Sequence, residues 1–363
     1  MAEFSESSHA NGYCQANRSN IIRQSSRSST ETIPPSCSSP SSTENDVPSS
    51  TCEWRRSLIE KLGICFERKS PTDIVTEHMS TVAYNLMRDE IKNLEEITDI
   101  LGSLNNLNHE KLLEINFKGF NFVRPVQEKL RYSVRFKEID ISKYSTYFNK
   151  FGVSLWYILK GKQPIISEEK YQCLFEQFLE MFGIDVMAEP EVDTESTEIF
   201  QRKVSAKADI VCFSPRDVKK YTLAICEVKK KCPFTDEETG QSPQKFRRTE
   251  DSPQRSQSCH LPDGLLAQHV GDLLTYLDKS ICKGAILGMT VEKTMVTFTR
   301  LSVTDETMEK LQRSHGSVKL KEEERPVLYY SKPYNYLQLE DRKEIVKALL
   351  TLIVMEKRRA KKS

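Results

Sequence analysis

The stretch KADIVCF–SPRDVKK–YTLAICEVKKK, from Lys207 to Lys231, decides how the chain is read. Its two flanks alternate and are rich in β-branched and aromatic residues, and Ser214-Pro215 opens a turn between them, which predicts two antiparallel strands. Side chains along a strand alternate between faces. Asp209, Val211 and Phe213 therefore share one face of the first strand, and Tyr221, Leu223, Ile225, Glu227 and Lys229 share one face of the second. Three ionisable residues thus fall on faces that otherwise read as core. Burying them costs several kcal/mol per ion unless they are paired or hold a metal. A hairpin that accepts this three times is expected to do chemistry there.

Asp209, followed at a strand-turn-strand spacing by Glu227-Val228-Lys229, resembles the D…ExK signature of the PD-(D/E)XK nuclease superfamily, which has the restriction-endonuclease-like fold. The Pro usual before that Asp is replaced here by Lys207-Ala208. The resemblance covers roughly residues 167–303 and implies an α/β fold with a mixed central sheet flanked by helices. It also implies a metal-dependent nuclease acting on DNA or RNA. Asp209, Glu227 and the Val228 carbonyl would hold Mg²⁺ or Mn²⁺, hard cations that take oxygen ligands. Lys229 would orient the attacking water and stabilise developing charge.

The helices on either side add two residues to that set. SEEKYQCLFEQFLEMFG, from Ser167 to Gly183, has an N-capping Ser, acid in its first turn, and an apolar stripe of Tyr171, Leu174, Phe175, Phe178, Leu179 and Phe182. One turn back along the stripe lies Glu168, the residue chosen as the helix carboxylate of the superfamily pattern, with Glu176 as the alternative. Acid in a first turn also simply offsets the helix dipole. After the hairpin, Asp263 is expected to cap GLLAQHVGDLLTYLDKS, whose buried stripe is Leu266, Val270, Leu273, Leu274 and Leu277. Gln268, Asp272 and Tyr276 lie along one edge of that helix at i, i+4 and i+8. Gln268 resembles the Gln that reaches into the site in RecB-like members. The closer Gln-to-Tyr spacing of those members is not reproduced at Tyr276, and His269 is expected to face elsewhere. CKGAILGMTVEKTMVTFTRLSV then supplies two more strands, completing the order helix, strand, strand, helix, strand, strand.

Composition bounds what surrounds this core. The 363 residues carry a net charge of +1, so any basic surface is local; from Gln201 to Lys231 nine Lys/Arg face three Asp/Glu, a field suited to a phosphate backbone. No apolar run approaches the ~20 residues of a membrane span, and the N-terminus shows no secretory signal. The ten cysteines form no C-x-x-C pair or regular ladder, which reads as reduced thiols in an intracellular protein, nuclear or cytoplasmic. A metal site from Cys232, Cys259 and His260 is the weaker reading. The ending KRRAKK favours the nucleus or a phosphate contact, although helix-dipole compensation explains part of it.

Four segments are expected. Residues 1–52, rich in Ser, Thr, Asn and Pro, form a disordered tail because they bury too little apolar surface to offset ordering entropy. Residues 53–110 form a helical subdomain, with Ile64-Cys65-Phe66 on a helical stripe, Thr72 or Asp73 as a cap, and a surface open to a protein partner. Residues 111–335 hold the nuclease-like domain, with aromatic and basic residues interleaved over 111–160, an acidic linker from Ile184 to Val204, and a disordered polar insertion over 232–262. Residues 336–363 end the chain in an amphipathic helix and the basic tail. A second reading belongs to a different class: a nuclease-like domain that has lost cleavage and binds nucleic acid or protein.

Overall fold

The computed structural model describes residues 47–77, 150–155, 158, 167–180, 182, 184–188, 190–213, 221–229 and 259–360. The expected tail over 1–46, the helical block beyond residue 77, the strands expected over 111–140 and most of the insertion lie outside the described residues, as do Gly183 and the hairpin loop over 214–220.

The chain forms one mixed α/β layer structure in its described part. Its strands are β1 (Cys65–Arg68), β2 (Asp185–Ala188), β3 (Glu195–Ile199), β4 (Arg202–Ala206), β5 (Ile210–Phe213), β6 (Thr222–Lys229), β7 (Ala285–Glu292), β8 (Met295–Ser302), β9 (Val327–Tyr330) and β10 (Tyr334–Asn335). The main sheet runs β1-β9-β8-β7-β6-β5-β2, with β10 also paired to β8, while β3 and β4 form a separate hairpin. Pairing is parallel between β1 and β9 and between β6 and β7, and antiparallel elsewhere. Helices cover both faces, so the central strand β6 is buried from Thr222 to Val228, and its apolar residues need not alternate with polar ones.

One face packs against α2 (Pro71–Thr76), α3 (Glu168–Glu180) and α6 (Leu339–Ala360). The anticipated stripe of α3 is buried there, with Phe175 and Phe178 near Tyr336 at ring-centroid separations of 5.7 and 4.9 Å. The opposite face packs against α1 (Arg56–Lys61), α4 (Asp263–Tyr276) and α5 (Asp305–Arg313). α4 comes so close to the sheet that His269 lies on β7 where Gly288 leaves space: a Cβ at Gly288 would sit 2.7 Å from His269 Nε2. Arg300, also fully buried, donates Nη1–H to the carbonyls of Ile74 and Val75, closing the end of α2.

Several expectations change here. Ile64-Cys65-Phe66 is not helical: α1 ends before it, and Cys65–Arg68 becomes an edge strand through parallel pairing with β9. The cap of α2 is Ser70, whose Oγ accepts from Asp73 N–H, with Pro71 starting the helix. Pro262, not Asp263, occupies the N-cap position of α4. The expected linker from Ile184 to Val204 instead contributes β2 and most of the β3–β4 hairpin, whose two-residue turn puts Phe200 and Gln201 at φ 50° and 60°. Such turns usually take Asn or Gly. Here the cost is offset because the Phe200 ring is buried and both backbone N–H groups donate to the end of α5, at Leu311 and Gln312. The last residues of the expected tail are ordered too, since Ser205 donates its N–H to Ser49 and Thr51 is buried. Leu261, within the expected insertion, joins the core.

The close approach at Gly288 predicts that Gly288→Ala destabilises the protein by about 1–3 kcal/mol. A lower denaturant midpoint with an unchanged slope checks it; an unchanged midpoint would show that His269 can move aside.

Candidate functional site

β5 and β6 bring the carboxylates together. Ile210 pairs with Cys226 and Val211 with Ile225, so the side chain of Asp209 comes up beside that of Glu227 as β5 begins. The ladder has a bulge between Cys212 and Phe213, which sets Phe213 opposite Thr222 and leaves the pairing intact near the site. Just before β5 begins, Asp209 Oδ2 accepts the Val228 N–H at 2.7 Å, so a carboxylate continues the ladder where backbone pairing stops. The Asp209 carbonyl accepts from Gln172 Nε2 of α3 at 2.9 Å, which ties the first turns of that helix to the hairpin.

Glu227 lies at the centre, 1% exposed. Its Oε1 receives Gln268 Nε2 at 2.5 Å and Lys229 Nζ at 2.6 Å. Its Oε2 is buried and meets no donor among the described residues. Lys229 also faces Asp209 Oδ2 at 3.9 Å and Glu168 Oε1 at 3.4 Å. One ammonium thus gathers three carboxylates from α3, the start of β5 and β6. Of the two α3 carboxylates considered, Glu168 is the one that faces Lys229.

A fourth carboxyl group was not anticipated as a site residue. Asp272, 1% exposed and one helical turn after Gln268, meets the Glu227 carboxyl and accepts Thr51 Oγ1–H at 2.6 Å. The i, i+4 spacing from Gln268 was the available signal. Burial, together with the charges of Asp209 and Asp272, raises the Glu227 pKa well above the carboxylate range, against the pull of Lys229. Burial pushes Asp272 up to about 7. For Lys229, burial opposes the charge, but the Glu227, Asp209 and Glu168 carboxylates outweigh it and hold the ammonium above its ordinary value. Four carboxyl groups and one ammonium therefore crowd a site from which water is largely excluded.

The remaining expected residues divide clearly. Tyr276 stands outside the charged cluster: its hydroxyl accepts the Ala208 N–H at 3.4 Å and donates to the Asp193 carbonyl at 3.2 Å, bracing the approach to Asp209. His269 points into the sheet, where its Nε2 shares a 2.7 Å hydrogen bond with Thr299 Oγ1. Among the described residues no group of three or more His, Cys, Asp or Glu side chains stands at metal-ligating positions. The contact that Val228 makes in the site is through its N–H.

Burial lowers the His269 pKa to about 3, so the folded protein keeps this ring neutral. Below its ordinary pKa the unfolded chain binds the extra proton, and His269 therefore contributes stability that is lost as pH falls from about 6.5 towards 3. In His269→Gln the amide reaches the Nε2 position without titrating. We expect the Tm advantage of the wild type over this variant to shrink between pH 7 and pH 4; a constant gap would show that the ring protonates in the fold. Comparison of the sequence with protein-family models and with curated proteins finds no match.

Proposed function

We propose that this chain is a divalent-metal-dependent nuclease with a restriction-endonuclease-like core, hydrolysing phosphodiester bonds in DNA or RNA at Asp209, Glu227 and Lys229. The observation that carries the reading is the buried oxygen Glu227 Oε2, which meets no donor among the described residues in a cluster of several carboxyl groups around one ammonium. That is the environment a hard divalent cation neutralises. Asp209 and Glu227 would hold Mg²⁺ or Mn²⁺, with the Val228 carbonyl as a third oxygen and waters completing the shell. Once bound, the ion supplies Lewis acidity and lowers the pKa of a coordinated water.

The protein's own groups have defined tasks. Gln268 fixes Glu227 through Oε1, and Gln172 fixes the backbone at Asp209, so both carboxylates are held before substrate arrives. Lys229, only partly exposed at the rim, presents a permanent positive charge to the phosphoryl oxygens as their charge grows, and it orients the water that attacks in line. Glu168 holds the ammonium from the α3 side. The basic residues of the surrounding segment favour a nucleic-acid backbone.

A second reading has its own observation: Lys229 Nζ already sits 2.6 Å from Glu227, an internal cation that suits a silent, nucleic-acid-binding domain. Incubation of the purified protein with labelled single- and double-stranded DNA and RNA separates the two. We expect cleavage with Mg²⁺ or Mn²⁺, none with EDTA, and a loss of roughly 10²-fold or more in Asp209→Ala and Lys229→Ala, with the fold of both variants retained by circular dichroism. Binding without metal-dependent cutting by the wild type, or full cutting by either variant, would refute the nuclease assignment.

A further inference from the structure

The two-residue turn between β7 and β8 stands beside the charged cluster. Glu292 pairs with Met295 across it, leaving Lys293 and Thr294 at the tip. Glu292 is also the register partner of Lys229 on the parallel strand β6, and the Lys293 N–H donates to the Lys229 carbonyl at 3.1 Å. Adjacent strands lie ~4.8 Å apart, so the backbone of Lys293 is one strand spacing from that of Lys229. Tyr336, fully buried, fixes the turn from its other side. Its hydroxyl donates to the Lys293 carbonyl at 3.4 Å, and its N–H donates to the Thr294 carbonyl at 3.1 Å.

Lys293 has φ 57°, in the left-handed region where turns of this length take Gly, Asn or Asp. Phe200 and Gln201, the other two described non-glycine residues with positive φ, are held there by a buried ring and by hydrogen bonds to α5. The Lys293 side chain has no such anchor. It is exposed, and among the described residues its ammonium meets no carboxylate or ring. The backbone bonds of this turn are open equally to Asn, which adopts the left-handed conformation more readily. A cation is thus kept in a strained conformation, its head in solvent, one strand away from Lys229. Strain that the local contacts do not offset clusters at ligand-binding positions.

The neighbouring cluster indicates which ligand. On the nucleic-acid reading, the scissile phosphate lies over Glu227 and Lys229, and the next phosphate of that strand follows ~3.4 Å further along a duplex axis. That places it within reach of a lysine on the adjoining turn. Lys229 is already engaged by three protein carboxylates, whereas the Lys293 charge is available to the substrate.

We propose that Lys293 grips the phosphate next to the scissile one, which makes the β7–β8 turn part of a polynucleotide interface. This contact rests on the nucleic-acid reading of the site, not on cleavage.

The test uses the full chain and the fluorescence anisotropy of short labelled single-stranded and duplex DNA and RNA. Ca²⁺ replaces Mg²⁺, gels confirm that the probes stay intact, and binding is followed over a series of salt concentrations. We expect Lys293→Asn to bind about fivefold more weakly at ~0.1 M salt. The slope of log K against log salt should fall in magnitude by about 0.7–0.9, the release of roughly one counterion fewer. The Tm of this variant should equal or exceed that of the wild type, because Asn relieves the turn. Lys293→Arg keeps the charge and should keep the slope. Lys283→Asn should keep it too, since Lys283 lies before the far end of β7 and pairs with Asp305. An unchanged slope in Lys293→Asn, an equal fall in Lys283→Asn, or a lower Tm in Lys293→Asn would overturn the proposal. A wild type that binds none of the probes overturns it together with the nucleic-acid reading. Cutting with Mg²⁺ separates the two layers: a slope change without cutting keeps the contact and removes the nuclease, whereas cutting with equal slopes removes the contact alone.

Discussion

A carboxylate in a strand covered by helices on both faces constrains everything around it. Glu227 sits in β6, with helices over both faces, and nearly all of its hydration is gone. Removing an ion from water in this way costs several kcal/mol unless neighbouring groups replace the lost solvent. The neighbours come from three parts of the chain: Lys229 from the same strand, Gln268 and Asp272 from α4, and Asp209 from the start of β5. Each has to be delivered at hydrogen-bonding or ion-pairing distance, which explains why the elements carrying them pack so closely.

Close packing is visible in the positions that lack side chains. α4 lies against β7 at Gly288 and against Thr51 and Trp54 at Gly271, and at either position a Cβ would fall within 3 Å of a neighbouring side chain. A helix held at that distance can place Gln268 and Asp272 on a single carboxyl group, whereas one further off could not. α3 is fixed on the other side by its aromatic stripe and by Gln172, whose amide reaches the backbone of Asp209. The apolar layers thus position the polar residues around Glu227.

Much of this was legible in residues 207–231 and 263–277. Alternation marked β5 and β6, and the period of two brought Asp209, Glu227 and Lys229 to one face of the hairpin, as the register shows. The α3 stripe extended back by one turn pointed to Glu168, whereas Gln268 was expected only from the resemblance to RecB-like members. Where reading failed, pairing partners distant in the chain were responsible. Cys65–Arg68 is too short for periodicity to distinguish helix from strand, and Val327–Tyr330 decides it. The turn at Phe200-Gln201 carries none of the usual turn residues because α5, about 110 positions later, supplies its hydrogen bonds.

The sequence by itself determined the types of residue, their alternation and the helical stripes, because those depend on neighbours a few positions away along one element. Only the tertiary structure decided that Thr51 meets Asp272 across 221 positions, that Glu168 faces Lys229, and that one oxygen of Glu227 meets no donor among the described residues. These outcomes depend on how helices and strands far apart in the chain come to rest on a common sheet, and that is set by packing and by the cost of burying charge rather than by any local pattern.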